Sequence, residues 1–335
     1  MNPETPPVQA GAILEVRDLV RHYPLRGGIF RRTMAHVHAV DCVSFTVPEG
    51  ATLGLVGESG CGKSTLARLL IRLEPPTSGS VRYRDRDITV LSHSELFTLR
   101  REIQIIFQDP YSSLNPRMTI GEIIRDPLVV HRIGNRAAQE EKVRSLLSLV
   151  GMSPGMMDRY PHEFSGGQRQ RIGVARALAL DPRVIIADEP VSALDVSVQS
   201  QVINLLAGLR RELGLTLVFI SHDLSVVEYI SDRIAVMYLG RLVEMGEGRD
   251  VFQHPAHPYT RALMEAVPVP DPDARRDRRV IPGETPSPIN PPPGCHFHPR
   301  CPFVKPVCRE KAPVLEPLSP DRPDHFASCH RKSEI

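Results

Sequence analysis

Short apolar runs alternate along the chain with longer stretches in which apolar side chains recur every three or four positions, as far as about Glu247. The runs predict buried β-strands, and the periodic stretches predict amphipathic helices. This alternation is typical of an α/β domain with a largely parallel sheet. The predicted strands lie in TLGLVGESG, IQIIFQD, VIIADEP and LTLVFISHD, and the first predicted helix is KSTLARLLIRLE.

The pattern changes at two places, which predicts three structural parts. From about residue 109 to 165 the β signal disappears, and TIGEIIRDPLVV and AAQEEKVRSLLSLVGM predict helices. We therefore expect an α/β domain over residues 12–252, with a helical subdomain inserted at about residues 109–165.

From Pro255 onward lie 18 of the 32 prolines and four of the six cysteines, with no clear strand or helix period after Met264. These features predict a small, loop-rich extension over residues 253–335, which includes a linker over about residues 267–293.

Composition narrows the classes of partner. The chain has 335 residues, 41% of them hydrophobic, and a formal net charge of +2 with interspersed signs. This small charge does not favour binding to nucleic acid or an anionic membrane by bulk electrostatics, and we expect no nucleic-acid partner. No apolar run reaches the ~20 residues that span a bilayer, and MNPETPPVQAG lacks the features of a signal peptide. We expect the protein to stay in the cytosol.

A glycine-rich loop supplies the first candidate chemistry. GESGCGKST follows an apolar strand and opens a helix, and it fits the P-loop pattern G-x-x-x-x-G-K-[ST]. The glycines let the backbone wrap around phosphate oxygens, Lys63 supplies charge to the β- and γ-phosphates, and Ser64 offers a hydroxyl to Mg²⁺. A chance glycine turn is the alternative. The candidate nucleotide-binding residues here are Gly57, Glu58, Ser59, Gly60, Cys61, Gly62, Lys63, Ser64 and Thr65.

The run VIIADEP supplies two acidic residues at the end of a predicted buried strand. Asp188 is placed to hold the Mg²⁺ shell, and Glu189 is placed to polarise an attacking water. On its own, such a strand could equally end in surface salt bridges. Beside a P-loop it predicts phosphoryl-transfer chemistry, and hence a P-loop NTPase fold that binds ATP and Mg²⁺.

Further short motifs follow in a fixed order: Gln108 ends IIFQ, SGGQ comprises Ser165, Gly166, Gly167 and Gln168, SALD ends at Asp195, and His222 lies in FISHD. With the P-loop and ADEP, this set resembles that of an ABC-type ATPase over nearly the whole chain. The resemblance implies that Gln108 contacts Mg²⁺ and the attacking water, and that His222 contacts the γ-phosphate. Asp195 is then expected at a subunit contact. Tyr23 in VRHYPL matches the aromatic residue that stacks on adenine, with ordinary strand packing as the alternative.

The resemblance also explains the second glycine motif, SGGQ. In ABC ATPases two nucleotide domains face each other head to tail, so the SGGQ helix end of one subunit completes the ATP site of the other. We therefore expect an identical or paralogous ATPase subunit as partner. Hydrolysis of the bridging γ-phosphate then lets the subunits separate.

Three segments narrow the resemblance to one transporter family. QDPYSSLNPRMT, HEFSGGQRQRIGVARAL and HPAHPYTRALMEAVP resemble the ATPases of dipeptide and oligopeptide (peptide/nickel) importers, and the first segment is closer to the second of their two ATPase subunits. The resemblance implies two transmembrane permease subunits, an indirect link to an extracytoplasmic solute-binding protein, and a peripheral location on the cytoplasmic face of the membrane. Nickel chelates, opines or glycosides are alternative cargoes. A soluble ABC ATPase without transport is the alternative class.

The extension carries four cysteines that form a candidate metal site. Five, six and twenty residues separate Cys295, Cys301, Cys308 and Cys329 in turn. Four thiolates can bind a [4Fe–4S] cluster or tetrahedral zinc, although this is not a CxxC zinc pattern. Resemblance to importer ATPases, some of which look able to hold an iron–sulfur cluster in this tail, favours [4Fe–4S]. Zinc, reduced thiols and disulfides remain alternatives.

Overall fold

Residues 11–27, 32–266, 281, 283–332 and 334 are described by a computed structural model. They divide into two units: Met1–Val90 with Ser221–Ile335, and Leu91–Ile220. Residues 267–280 of the predicted linker lie outside the described residues. Within the described part of the chain, no helix combines the length and the apolar character needed to cross a membrane.

The first unit contains two sheets. Its strands are β1 (Ala12–Gly27), β2 (Arg32–Pro48), β3 (Thr52–Val56), β4 (Ser78–Tyr83), β5 (Arg86–Asp87), β9 (Arg233–Tyr238), β10 (Arg241–Glu247), β11 (Glu316–Ser319) and β12 (Arg322–Ala327). One sheet is antiparallel, with the order β2-β1-β4-β5. The other has the order β11-β12-β10-β9-β3, in which only β9 and β3 run parallel.

The helices of the first unit connect or flank these strands. They are α1 (Lys63–Leu70), α8 (Leu224–Ile230), α9 (Gly248–Gln253), α10 (Pro258–Glu265) and α11 (Pro306–Glu310). Strand β3 is buried at all five positions and leads directly into the glycine loop before α1, as its apolar run predicts. The local order strand, loop, helix is therefore confirmed.

The second unit contains a parallel sheet and a set of helices. Its strands are β6 (Ile103–Ile106), β7 (Val184–Asp188) and β8 (Thr216–Ile220), in the order β8-β7-β6. Every residue of β7 and β8 is buried, which explains why their sequences are continuously apolar instead of alternating. The predicted strands in IQIIFQD, VIIADEP and LTLVFISHD are confirmed.

Helices occupy most of the chain between β6 and β7. The second unit contains α2 (His93–Leu99), α3 (Pro110–Ser113), α4 (Ile120–Val130), α5 (Arg136–Leu149), α6 (Gly166–Leu178) and α7 (Val196–Leu213). Helix α4 begins with a capping box between Thr119 and Glu122, and α5 begins at Asn135, whose side chain accepts from the Ala138 N–H. Helices α3, α4 and α5 all contact α6. The two helices expected from the sequence are confirmed.

The C-terminal extension contains more regular structure than the sequence indicates. Strand β12 pairs with β10, with Glu244 opposite Ala327 and Met245 opposite Phe326, and β11 adds to its other side. The sequence shows no clear strand period after Met264, yet two strands form there. Prolines at 317 and 323 obscure the strand pattern. Pro317 is tolerated because β11 lies at the end of the sheet order, and Pro323 lies in β12 at a position that belongs to none of its residue pairs with β10 or β11.

Candidate functional site

The glycine loop between β3 and α1 folds closely against neighbouring backbone. A Cβ atom at Gly57 would lie 2.2 Å from the carbonyl oxygen of Met237, and one at Gly62 would lie 2.0 Å from the carbonyl oxygen of Ala39. Gly62 also has φ of 108°, which L side chains rarely adopt. Both positions therefore require glycine, and the loop conformation follows from this packing.

Lys63 is the buried cation of this loop. Its side chain is 3% exposed, and its Nζ donates to the carbonyl oxygens of Gly57 at 2.7 Å and Glu58 at 3.0 Å. Helix α1 begins after Gly62, which has no side chain to cap the helix. Its first turn includes Ser64 and Thr65, and no N-cap side chain competes with phosphate for the amides of that turn. An ammonium group beside an uncapped helix start is the arrangement that binds phosphate.

Cys61 lies inside the loop as a buried thiol. Its Sγ is 3.8 Å from the Lys63 Nζ, and its side chain is 3% exposed. Burial raises the pKa of the Cys61 thiol, and the neighbouring Lys63 charge offsets this only in part. The thiol therefore stays protonated at neutral pH, with the character of a packing residue.

The second unit brings two predicted catalytic residues into contact. The Gln108 side-chain amide donates to Glu189 Oε2 at 3.0 Å. Glu189 follows the fully buried strand β7 with φ of 45°, and its backbone N–H donates to the carbonyl oxygen of Ile220 at 3.0 Å. Asp188 ends β7 and is 6% exposed. A left-handed φ on a glutamate is uncommon, and it turns this side chain away from the direction of the strand.

The SGGQ motif forms the start of α6. The Ser165 hydroxyl accepts from the Gln168 N–H at 3.4 Å, and the Gln168 side chain accepts from the Ser165 N–H at 3.1 Å. Ser165 is exposed and Gly166 is half-buried, whereas Gly167 is buried. A Cβ atom on Gly167 would lie 2.2 Å from Val198 Cγ1 of α7. The two glycines therefore differ: Gly167 permits close helix packing, whereas Gly166 is accessible together with Ser165 and Gln168.

The remaining nucleotide-site candidates lie on surface segments. Asp195 is exposed and directly precedes α7. His222 is exposed between Ser221 and Asp223, the residue whose side chain caps α8. Tyr23 lies on β1, its hydroxyl hydrogen-bonds Glu74, and the Arg21 guanidinium lies 4.5 Å from its ring centroid. Lys63 and His222 belong to the first unit, whereas Gln108, Asp188 and Glu189 belong to the second.

The four C-terminal cysteines surround one small cavity. The cavity is also lined by Phe297, Phe303 and Pro258, and Cys295 is joined to Cys308 by a backbone hydrogen bond of 2.8 Å. Burial, with the neighbouring thiols, raises the pKa of Cys295 to about 12. No disulfide joins any of the four. No three of their Sγ atoms lie within 4.8 Å of one another.

One group of contacts at the glycine loop was not foreseen from the sequence. Arg300 of the C-terminal extension donates to both carboxylate oxygens of Glu58, at 2.9 and 3.1 Å, and Tyr259 accepts from the Glu58 N–H at 2.9 Å. Tyr259 lies in the segment HPAHPYTRALMEAVP, whose resemblance to importer ATPases drew attention to it without indicating its partner. Nothing in the sequence pairs Arg300 with a residue 242 positions away.

Comparison with known proteins now identifies the family. The ABC transporter family matches residues 40–192, and the family described as "Oligopeptide/dipeptide transporter, C-terminal region" matches residues 243–308. The oligopeptide transport ATP-binding protein AppF of Bacillus subtilis is 53% identical over 95% of this chain and 97% of its own length. This chain belongs to the ATP-binding subunits of the oligopeptide/dipeptide ABC transporter family. It is an ATPase cassette of the ABC type.

A second relative and two solved structures are also ATP-binding proteins or cassettes of this kind. The probable peptide ABC transporter ATP-binding protein y4tS of Sinorhizobium fredii is 55% identical over 95% of this chain and 90% of its own length. A dimeric ATP-binding cassette solved in a post-hydrolysis state with ADP and Pi has a TM-score of 0.63 and 28% identity, covering 70% of this chain and 99% of that one. A cassette of a transporter complex from Clostridium perfringens has the same TM-score and 27% identity, covering 73% of this chain and 92% of that one.

Proposed function

We propose that this chain is the ATP-hydrolysing subunit that energises import of di- or oligopeptides through an ABC transporter. The observation that carries the proposal is the combination, in one chain, of a phosphate-binding loop with the C-terminal region of oligopeptide and dipeptide transporters. The peptide-transport names of relatives matching over 95% of this chain support the same cargo class. Nickel chelates, opines and glycosides are the competing cargoes.

In this proposal the loop at residues 57–65 cradles the ATP phosphates. Lys63 leaves the carbonyl oxygens of Gly57 and Glu58 and reaches the β- and γ-phosphates. The side chains of Ser64, Asp188 and Gln108 offer hydroxyl, carboxylate and amide oxygens, the hard donors that Mg²⁺ prefers. When bound, Mg²⁺ neutralises charge on the phosphate oxygens. The aromatic ring of Tyr23 stacks on the adenine base.

Hydrolysis then depends on Glu189 and its neighbours. The Gln108 amide donates to Glu189 Oε2 and so orients the carboxylate towards the attacking water, while the Gln108 carbonyl oxygen is offered to the cation. Glu189 takes a proton from that water as the water oxygen attacks the γ-phosphorus, and the bond between the γ-phosphorus and the β–γ bridging oxygen breaks, so that ADP and phosphate leave. His222 donates to the γ-phosphate as negative charge develops there.

We further propose that each ATP is held between two ATPase subunits, either identical or paralogous. Ser165 and Gly166 are accessible at the start of α6, where backbone amides attract anions, and they complete the partner's nucleotide site. Asp195 lies at the same subunit contact. The dimeric cassette with ADP and Pi, a structural neighbour, supports this arrangement. Two permease subunits, an indirectly linked solute-binding protein and a peripheral position on the cytoplasmic face of the membrane complete the proposal.

The substitution Glu189→Gln tests the catalytic part. We expect ATP binding to remain, hydrolysis to fall by about 100-fold or more, and an ATP-bound dimer to accumulate in size-exclusion chromatography. Lys63→Ala is the matched control, because it removes binding as well. Normal turnover in Glu189→Gln would refute Glu189 as the catalytic base.

Uptake of labelled peptides tests the cargo. Cells of the source organism that lack this chain are complemented with the wild type or with Lys63→Ala. We expect only the wild type to restore uptake. Equal peptide uptake with both variants, combined with a loss of nickel or glycoside uptake in Lys63→Ala, would assign the chain to another cargo.

We also propose that the four C-terminal cysteines hold a [4Fe–4S] cluster. Support comes from four unpaired thiols around one small cavity with aromatic walls. Tetrahedral zinc, with Zn–S bonds of about 2.3 Å, needs all of its sulfurs close together, whereas no three of these Sγ atoms lie within 4.8 Å of one another. A four-iron cluster sets its cysteine ligands further apart, because each binds a different iron.

Metal analysis of protein purified without oxygen tests this site. We expect brown protein with iron and sulfide in equal amounts, and loss of colour in a Cys301→Ser/Cys308→Ser variant. Cys42→Ser is the control, because Cys42 is an exposed cysteine on β2. Stoichiometric zinc without iron would decide against the cluster.

A further inference from the structure

Glu58, the second residue of the phosphate-binding loop, is held by side chains from the C-terminal extension. Arg300 forms a two-pronged ion pair with it, through bonds of 2.9 Å to Oε2 and 3.1 Å to Oε1. The Thr285 hydroxyl donates to the same Oε2 at 2.8 Å. Such a planar, two-bonded contact fixes the direction of the carboxylate as well as its distance.

The backbone of the same residue is also held. The Glu58 N–H donates to the Tyr259 hydroxyl at 2.9 Å. The Tyr259 ring is fully buried and packs against Tyr238 and Phe297, with ring centroids 4.7 and 5.5 Å away. Because Phe297 lies between Cys295 and Cys301 in the chain, this aromatic cluster joins the cysteine segment directly to the loop.

Burial strengthens the ion pair between Arg300 and Glu58. The Arg300 side chain is 8% exposed and that of Glu58 is 24% exposed, so water competes poorly with the pair. Burial alone raises the pKa of Glu58, but the bonds from Arg300 and Thr285 reverse this and hold that pKa below its usual value. Removal of Arg300 therefore leaves a half-buried carboxylate beside the loop without its main partner.

We propose that Arg300 and Tyr259 are positioning residues for ATP binding, which hold Glu58 so that the phosphate-binding loop keeps its binding conformation. This inference rests on the proposed nucleotide site. Each of the two residues acts through Glu58, Arg300 on its carboxylate and Tyr259 on its backbone. Loss of either contact lets the loop populate other conformations, and the apparent affinity falls with the fraction that remains competent.

Equilibrium binding of a non-hydrolysable ATP analogue with Mg²⁺ to the full chain tests the proposal. We expect the Kd to rise by roughly tenfold in Arg300→Gln and by roughly threefold in Tyr259→Phe. Tyr259→Phe keeps the ring packing and removes only the hydroxyl, so it remains informative if Arg300→Gln fails to fold. Arg300→Lys, which keeps the charge but not the two-pronged contact, is expected to recover part of the affinity.

Two controls separate the possible failures. Lys305→Ala breaks an exposed ion pair with Glu334 in the same extension and is expected to leave the Kd unchanged. Lys63→Ala is expected to abolish binding; if it does not, the proposed nucleotide site is itself wrong. If Lys63→Ala abolishes binding while folded Tyr259→Phe and Arg300→Gln bind with wild-type affinity, the positioning role is overturned and the nucleotide site stands. A Kd change in Lys305→Ala as large as that in Arg300→Gln would also overturn it.

Discussion

The packing of Gly167 leads to a prediction that separates the structural and functional roles of the SGGQ motif. In Gly167→Ala the added Cβ atom would lie 2.2 Å from Val198 Cγ1, whereas ordinary contacts begin at 3.4 Å. Val198 is β-branched and lies within α7, so its side chain has few other rotamers. Helices α6 and α7 must therefore move apart by about 1 Å, the difference between these two distances.

Gly173 provides a matched control in the same helix. A Cβ atom at Gly173 meets nothing within 4 Å. Gly173→Ala, inside α6, gains about 1 kcal/mol of helix propensity. Gly167→Ala, in the first turn of α6, gains no more than that and carries an overpacking cost of about 1–3 kcal/mol. We expect Gly173→Ala to stabilise the protein by up to about 1 kcal/mol. Gly167→Ala is expected to be less stable than Gly173→Ala by at least about 1–3 kcal/mol, because it gains no more helix propensity and carries the overpacking cost.

Thermal unfolding without nucleotide measures the difference between the two variants. The double variant Gly167→Ala/Val198→Ala removes the steric conflict and is expected to recover most of the lost stability. Equal Tm values for Gly167→Ala and Gly173→Ala would refute the packing argument. If Gly167→Ala is stable but loses ATP-dependent dimerisation, the second glycine serves the partner's nucleotide and not the packing of α6.

Three further predictions concern single contacts. Ser165→Ala removes the cap of α6 and should cost about 1 kcal/mol of unfolding free energy, measured by urea denaturation; no change would show that the 3.4 Å bond is unimportant. Gln108→Ala removes the donor to Glu189 Oε2 and should lower kcat by about tenfold or more with little change in ATP affinity, measured by steady-state ATPase assay, whereas unchanged kcat would contradict the pairing. Burial lowers the pKa of His257 from 6.5 to about 3, so the unfolded chain binds a proton first and stability should fall as pH drops from about 6.5 towards 3. His257→Asn, which can still cap α10, should weaken this acid sensitivity, and an identical pH profile would refute it.

Features that depend on residues close together in the chain could be predicted from the amino-acid sequence alone. The glycine loop after β3, the acidic end of β7 and helices α4 and α5 each lie in one continuous segment. Their apolar period, glycines and caps are therefore visible in the sequence. The order of these segments indicated the ABC family before any distance was known.

Pairings between distant segments could be seen only in the folded chain. Arg300 meets Glu58 across 242 positions, Gly167 meets Val198 of another helix, and β12 joins β10 although prolines obscure its pattern. Each of these pairings depends on how buried surfaces fit together, and local periodicity carries no information about which distant partner fills a given space. The sequence therefore predicted the chemistry of the phosphate loop, while packing decided which residues hold that loop in place.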